Sequence, residues 1–215
     1  MSSKEATAAF KAQAEGLVEG GVDVLWLETM YAMEELEAAL EAVKEFGLPI
    51  CATMSFDTAG KTMMGITPAN LAMKAKKLGL MGFGANCGIG ASDLLATITD
   101  ISRHVEPNTT VIAKANCGIP EFKEGSIVYT GTEKLMADYV HLAMNSGAKI
   151  IGGCCGTTFE HIKAMRQAMD KHQMNGSPSM PDIENKIGKM SKGSRAIFLG
   201  DDSSPVKKRR SRRSK

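Results

Sequence analysis

Apolar positions along the chain fall into two alternating patterns. Short runs at 22–27, 49–55, 82–86, 110–115 and 149–153 are made almost wholly of apolar or small residues. Such runs predict strands covered on both faces. Between them the apolar residues recur every three or four positions, as in Met33, Leu36, Leu40 and Val43, or Leu94, Leu95, Ile98 and Ile101. That spacing predicts helices with one buried stripe. A first helix is predicted over 2–19, opened by a Ser2…Glu5 capping box and stopped at Gly20-Gly21. Thr67-Pro68 opens another, and Thr130…Glu133 a third, which carries Leu135, Tyr139 and Leu142. Thr157 with Glu160 opens the last, whose expected apolar face is Ile162, Met165 and Met169.

The result is five strands, each followed by a helix, which argues for an α/β fold with a parallel sheet. A loop is expected over about 15 residues after the fourth strand, because Pro120 and Gly125 interrupt it. Gly, Ser and Pro between 175 and 181 mark the end of a domain spanning 1–174. Residues 175–215 then read as a mostly disordered tail, with a short apolar patch at 196–199 able to dock.

Composition adjusts this picture in two places. The formal charge of +2 conceals an acidic body. Seven basic residues lie in 207–215, and without them 19 basic residues face 24 acidic ones. The tail has no interleaved aromatic residues to stack on bases, so a solvated tail is preferred to specific nucleic-acid binding. The chain has 215 residues and five cysteines, an odd number spread widely, which fits reduced thiols or metal ligands better than a disulfide framework. With no secretory h-region and no apolar run long enough to span a membrane, the cytoplasm is the expected compartment. The 15 methionines read as core filling.

Candidate chemistry gathers where the strands end. In parallel α/β folds ligands bind at the carboxyl ends of strands. Those ends are Glu28-Thr29, Ser55-Phe56-Asp57, Asn86-Cys87, Asn116-Cys117 and Cys154-Cys155, so four of five cysteines fall on one rim. Neighbours in a strand point to opposite faces, so Cys154 and Cys155 can share an ion only where the strand has ended, which Gly153 and Gly156 permit. Cys87 supplies a third thiolate. Three thiolates with one open position describe a reactive zinc site, and three buried cysteines acting as small hydrophobes are the plain alternative. Glu28 follows an apolar run and reads either as a ligand for an amino group or as a charge favoured by a helix N-terminus. Cys117 reads as a small residue facing the pocket. His104, His141, His161 and His172 read as structural or exposed, away from the rim.

The motifs that carry a family likeness are Leu25-Trp26-Leu27-Glu28-Thr29, Gly84-Ala85-Asn86-Cys87, Ala113-Lys114-Ala115-Asn116-Cys117-Gly118-Ile119-Pro120 and Gly152-Gly153-Cys154-Cys155-Gly156-Thr157-Thr158. In this order the chain resembles the homocysteine S-methyltransferase family over about residues 2–172. That family includes betaine–homocysteine methyltransferases and the homocysteine-binding domain of cobalamin-dependent methionine synthase. The resemblance implies a partial (β/α)8 TIM barrel: strands 4 to 8 with their helices, the N-terminal three strands missing. It implies Zn2+ on Cys87, Cys154 and Cys155, and Glu28 on the amino group of homocysteine. The substrate carboxylate is placed near the amides of Gly156-Thr157-Thr158. The implied reaction moves a methyl group from betaine or a related onium donor to the homocysteine thiol, giving methionine. Around the donor, the rim is expected to offer Trp26, Tyr31 and Phe56. Five strands leave two open edges, so the expected assembly is a homo-oligomer or a pairing with a complementing chain. A catalytically incomplete zinc-binding half-barrel that regulates a full-length enzyme is the alternative.

Overall fold

The computed structural model describes residues 2–201, and the basic segment 207–215 lies outside them. The order of elements is α1 (Ser3–Glu19), β1 (Leu25–Met30), α2 (Met33–Val43), β2 (Ile50–Met54), α3 (Pro68–Leu78), β3 (Gly82–Cys87), α4 (Ala91–Arg103) and β4 (Val111–Ala115). Then come β5 (Pro120–Lys123), β6 (Ser126–Tyr129), α5 (Glu133–Asn145), β7 (Ala148–Gly153), α6 (Phe159–Asp170), α7 (Met180–Ile187) and α8 (Lys192–Phe198). Five strands form one parallel sheet in the order β1-β2-β3-β4-β7. This is an α/β fold consistent with part of a (β/α)8 barrel.

Helix boundaries follow local chemistry. Ser2 and Glu5 close the capping box of α1, with the Ser2 amide donating to Glu5 at 2.7 Å. Thr67 caps α3 with Pro68 in its first turn. The cap of α5 is Thr132 rather than Thr130, and that of α6 is Thr158 rather than Thr157. On α6 the expected face is partly wrong: Met165 is buried, but Ile162 is half exposed.

Alternate residues of each strand serve opposite faces. Leu25, Leu27, Ala52, Met54, Phe83, Ala85, Val111, Ala113 and Ala115 belong to the core beneath the helices. Trp26, Glu28, Thr53 and Lys114 lie on the other face. There the Trp26 indole reaches Thr53 at 3.5 Å, and the Lys114 ammonium pairs with Glu28. These two partners sit on β4 and β1, three strands apart. In a flat sheet those strands would be about 14 Å apart. The ion pair forms because the sheet curls, which makes this face concave.

Two expectations need correction. The predicted loop after β4 is a hairpin: Phe122 pairs with Ile127, and Lys123 with Ser126, across a Glu124-Gly125 turn whose residues both have positive φ, 48° and 84°. That is the two-residue turn that matches strand twist. The expected disorder of 175–215 also fails for the described part. Helices α7 and α8 pack on α4 and α5, burying Ile183, Ile187, Met190, Ile197 and Phe198. The Ser191 amide donates to Asp93 at 3.0 Å, and its hydroxyl to the Thr58 carbonyl at 3.0 Å. A Cβ at Gly193 would stand 2.3 Å from that carbonyl, so the crossing requires glycine there. Of the apolar patch at 196–199, Ile197 and Phe198 dock from the end of α8, while Leu199 lies beyond the helix and is exposed.

Candidate metal centre

The rim is set by strand ends. β3 finishes at Cys87, which is held at φ 59°, and Gly88 follows at φ 71°. Two left-handed residues in succession stop the strand and turn the Cys87 thiol along the rim. β7 finishes at Gly153, and Cys154 and Cys155 follow in the turn before α6. The Cys154 amide still donates to the Ala115 carbonyl at 2.7 Å, while the Cys117 amide donates to the Cys155 carbonyl at 2.9 Å. The backbone of that turn is therefore fixed to β4.

This brings the three sulfurs within 4.8 Å of one another. Cys87 and Cys155 are 3.9 Å apart, as are Cys154 and Cys155. Four ligands around zinc at a metal–sulfur distance of about 2.3 Å would place sulfurs about 3.8 Å from each other. The two 3.9 Å spacings to Cys155 fit that geometry, and the donor set suits a soft or borderline ion. Burial, reinforced by the neighbouring Cys154 charge and eased by the Asn116 amide, pushes the Cys87 thiol up to about 11. Without a cation Cys87 therefore favours its neutral thiol.

Two asparagines orient the sulfurs, and the sequence reading gave neither a role. Asn116 donates to Cys87 sulfur at 3.7 Å and to the Gly88 carbonyl at 3.0 Å, and it accepts the Cys155 amide at 3.1 Å. Asn86 reaches Cys154 sulfur at 3.8 Å. It also donates to the Thr29 hydroxyl at 2.6 Å and accepts the Thr29 amide at 3.1 Å. Thr29 itself has φ 64°, at a register shift in β1. Asn86 thus ties the bulge beside Glu28 to the thiol cluster. The pattern Asn-Cys at two strand ends was the available signal.

Other sequence candidates separate. Glu28 lies inside β1 and not beyond its end, and it faces Lys114, whose ammonium also stands 5.1 Å from the Trp26 ring centroid. Cys117 is fully buried in the helix-side core against Gly131 and does not face the pocket. Phe56 is likewise core. Tyr129, from the unforeseen hairpin, covers Gly156. Burial, then contact with Cys155, raises its hydroxyl above the ordinary range. Of the amides of Gly156, Thr157 and Thr158, two are engaged within the chain: Thr157 donates to the Cys154 carbonyl at 3.2 Å and Thr158 to the His161 ring at 3.0 Å. His161 therefore sits nearer the rim than expected, but as part of the helix start. Among the described residues no helix is long and apolar enough to cross a membrane.

A family model described as homocysteine S-methyltransferase matches residues 1–169. Among solved structures, the chain resembles the Escherichia coli homocysteine methyltransferase MmuM in its apo form, with TM-score 0.64 and 22% identity. That match covers 78% of this chain and 57% of the enzyme, so the chain spans little more than half the length of that relative. The metallated form of the same enzyme matches with TM-score 0.59 and 23% identity over 75% of this chain and 51% of that one. The oxidized form gives 0.57 and 25%, over 75% and 52%. These likenesses bear on the fold, and the family match bears on ancestry. With the motifs sitting on one rim and the match running through every strand of the parallel sheet, the chain belongs to the homocysteine S-methyltransferase family.

Proposed function

We propose that residues 1–174 form a homocysteine-binding unit, equivalent to strands 4 to 8 of a (β/α)8 barrel, that transfers a methyl group to the homocysteine thiol. Cys87, Cys154 and Cys155 would hold Zn2+. The observation that carries this reading is the convergence of three sulfurs from two strand ends within 4.8 Å of one another, with Cys155 at 3.9 Å from each of the other two. Zinc bound there would keep a substrate thiol as thiolate at neutral pH, the nucleophilic form.

The chain's own residues bind and orient. Asn116 and Asn86 hold the sulfurs of Cys87 and Cys154, Asn116 also fixes the Cys155 backbone through its amide, and the Gly153–Gly156 turn leaves the rim open above them. Glu28 offers a carboxylate to the substrate ammonium from the concave wall. The sulfur lone pair forms the new S–CH3 bond, the donor C–N bond breaks, and its electron pair stays on the departing nitrogen. Betaine or a related onium compound is the proposed donor, with methionine as product. Tyr129 beside Cys155, together with Tyr31, supplies aromatic surface for such a cation. Holding donor methyl and sulfur in line is worth several kcal/mol or more of the barrier. Incubating the zinc-loaded chain with homocysteine and betaine should yield methionine, and Glu28→Ala should weaken homocysteine binding while zinc is retained. Methionine formation that is unchanged after zinc removal would reject the reading.

A second reading is favoured by the edges of the sheet. β1 and β7 each pair on one side among the described residues. Beside β1 lies a cleft of about 300 Å³ lined by Phe10, Leu17, Leu25, Trp26 and Met30. Unpaired edges with apolar surface invite another chain. On this reading the chain is a zinc-binding half-barrel completed by a second copy or by a complementing βα segment. Zinc binding without turnover, with turnover restored by such a segment, would favour it.

A further inference from the structure

Beside the thiol cluster, the concave face carries an acid and a base that meet each other: Glu28 on β1 and Lys114 on β4. Lys114 is held in place from three sides. Its stem lies over Gly152, where a Cβ would come within 3.2 Å of the lysine Cγ. Its ammonium stands over Trp26 at 5.1 Å from the ring centroid, and Glu28 closes the far end. Trp26 is itself tethered to Thr53 at 3.5 Å. Such a cross-strand buttress is more than an isolated surface ion pair needs.

The register places this pair next to the sulfurs. Lys114 stands opposite Asn86 on one neighbour and Gly152 on the other. Asn86 directly precedes Cys87, and Gly152 lies two residues before Cys154. Asn116, two residues beyond Lys114, holds both Cys87 and Cys155. Residues two apart on a strand share a face and are separated by about 7 Å. A thiol seated at the cluster would therefore extend its remaining atoms over Lys114 and Glu28.

We propose that Lys114 is a substrate-binding residue that pairs with the α-carboxylate while Glu28 pairs with the α-ammonium. This rests on the homocysteine reading above. An α-amino acid presents opposite charges on one carbon, and the Glu28–Lys114 pair presents the complementary charges side by side. The resting ion pair is partly exposed, at 23% for the Lys114 side chain and 41% for Glu28. A pair this exposed costs little to open. Binding replaces one such contact by two. The amides of Thr157 and Thr158 are engaged within the chain, and Lys114 offers the carboxylate a cation beside Glu28. The site thereby selects thiols that carry both charges over thiols that carry one.

The test is calorimetric binding to the zinc-loaded full chain, with three thiols: L-homocysteine, aminopropanethiol, which lacks the carboxylate, and mercaptobutyrate, which lacks the amine. Lys114→Met should weaken homocysteine and mercaptobutyrate on the order of tenfold or more and leave aminopropanethiol unchanged. Glu28→Gln should do the reverse for the two truncated thiols. Lys114→Arg, which keeps the charge, should recover part of the loss. Unchanged binding of aminopropanethiol to Lys114→Met also reports that the variant has folded. Equal weakening of all three thiols, or undiminished homocysteine binding, in both Lys114→Met and Lys114→Gln would overturn the assignment while leaving the homocysteine site intact. Failure of every thiol to bind the wild-type chain would overturn both.

Discussion

On the helix side of the parallel sheet, Leu25, Leu27, Phe83, Ala85, Val111 and Ala113 are all buried against one another and against α2 to α5. On the concave side, the residues between them are Trp26, Glu28, Asn86 and Lys114, joined by hydrogen bonds, an ion pair and a ring contact. The same strands supply both sets, one residue out of step. Burial decides the first face, since removing apolar area from water stabilises whichever large side chains fit. Polar partnership decides the second, where Trp26, Lys114 and Glu28 hold one another and Asn86 joins Thr29 to the Cys154 thiol. The fold can thus be made secure on one side while the other keeps strained residues, Thr29 and Cys87, that contribute to the site and cost stability.

Substitutions on the two faces should therefore separate stability from binding. Leu25→Ala, at a fully packed position, should cost about 2–5 kcal/mol in denaturant unfolding and leave zinc stoichiometry of the folded fraction unchanged. A loss of zinc without loss of stability would break the division between faces. Asn116→Ala lies where the faces meet. It should destabilise by about 1–3 kcal/mol, because it leaves the Cys155 amide and Gly88 carbonyl without their partner. It should also weaken metal affinity on the order of 10- to 100-fold in chelator competition. Glu28→Gln should shift stability by no more than about 1 kcal/mol, since its ion pair is partly exposed, yet reduce homocysteine affinity. A large stability loss there would mean that the pair is a structural strut.

The helix side was the more legible in sequence. Apolar runs and helical spacing placed every strand of the parallel sheet, because burial leaves a periodic trace. Cys87, Cys154 and Cys155 were legible for a different reason: strand ends with adjacent glycines are visible without coordinates. What escaped depended on tertiary geometry or on weak local signals. The Glu28–Lys114 contact exists because the sheet curls, and no spacing encodes that. Asn86 and Asn116 stood beside cysteines, but their partners lie 28 or more residues away. The hairpin was hidden by Pro120 and Gly125, although Phe122 and Ile127 about the Glu124-Gly125 turn carry its pattern. Helices α7 and α8 were masked by polar composition, despite a Ser179–Asp182 capping box and the Ile183–Ile187 spacing. Cys117 illustrates the limit of the strand-end rule: it shares the rim in sequence but turns its sulfur into the core.

The central claim is that three particular thiols, and not the chain's cysteines in general, form a zinc site. Zinc content per folded chain, measured by mass spectrometry on purified wild type and on each cysteine variant, tests it directly. The account predicts one equivalent in wild type, loss of retained zinc in Cys87→Ala, Cys154→Ala and Cys155→Ala, and full content in Cys51→Ala and Cys117→Ala. Full zinc in any of the first three, or loss confined to Cys117→Ala, would contradict it.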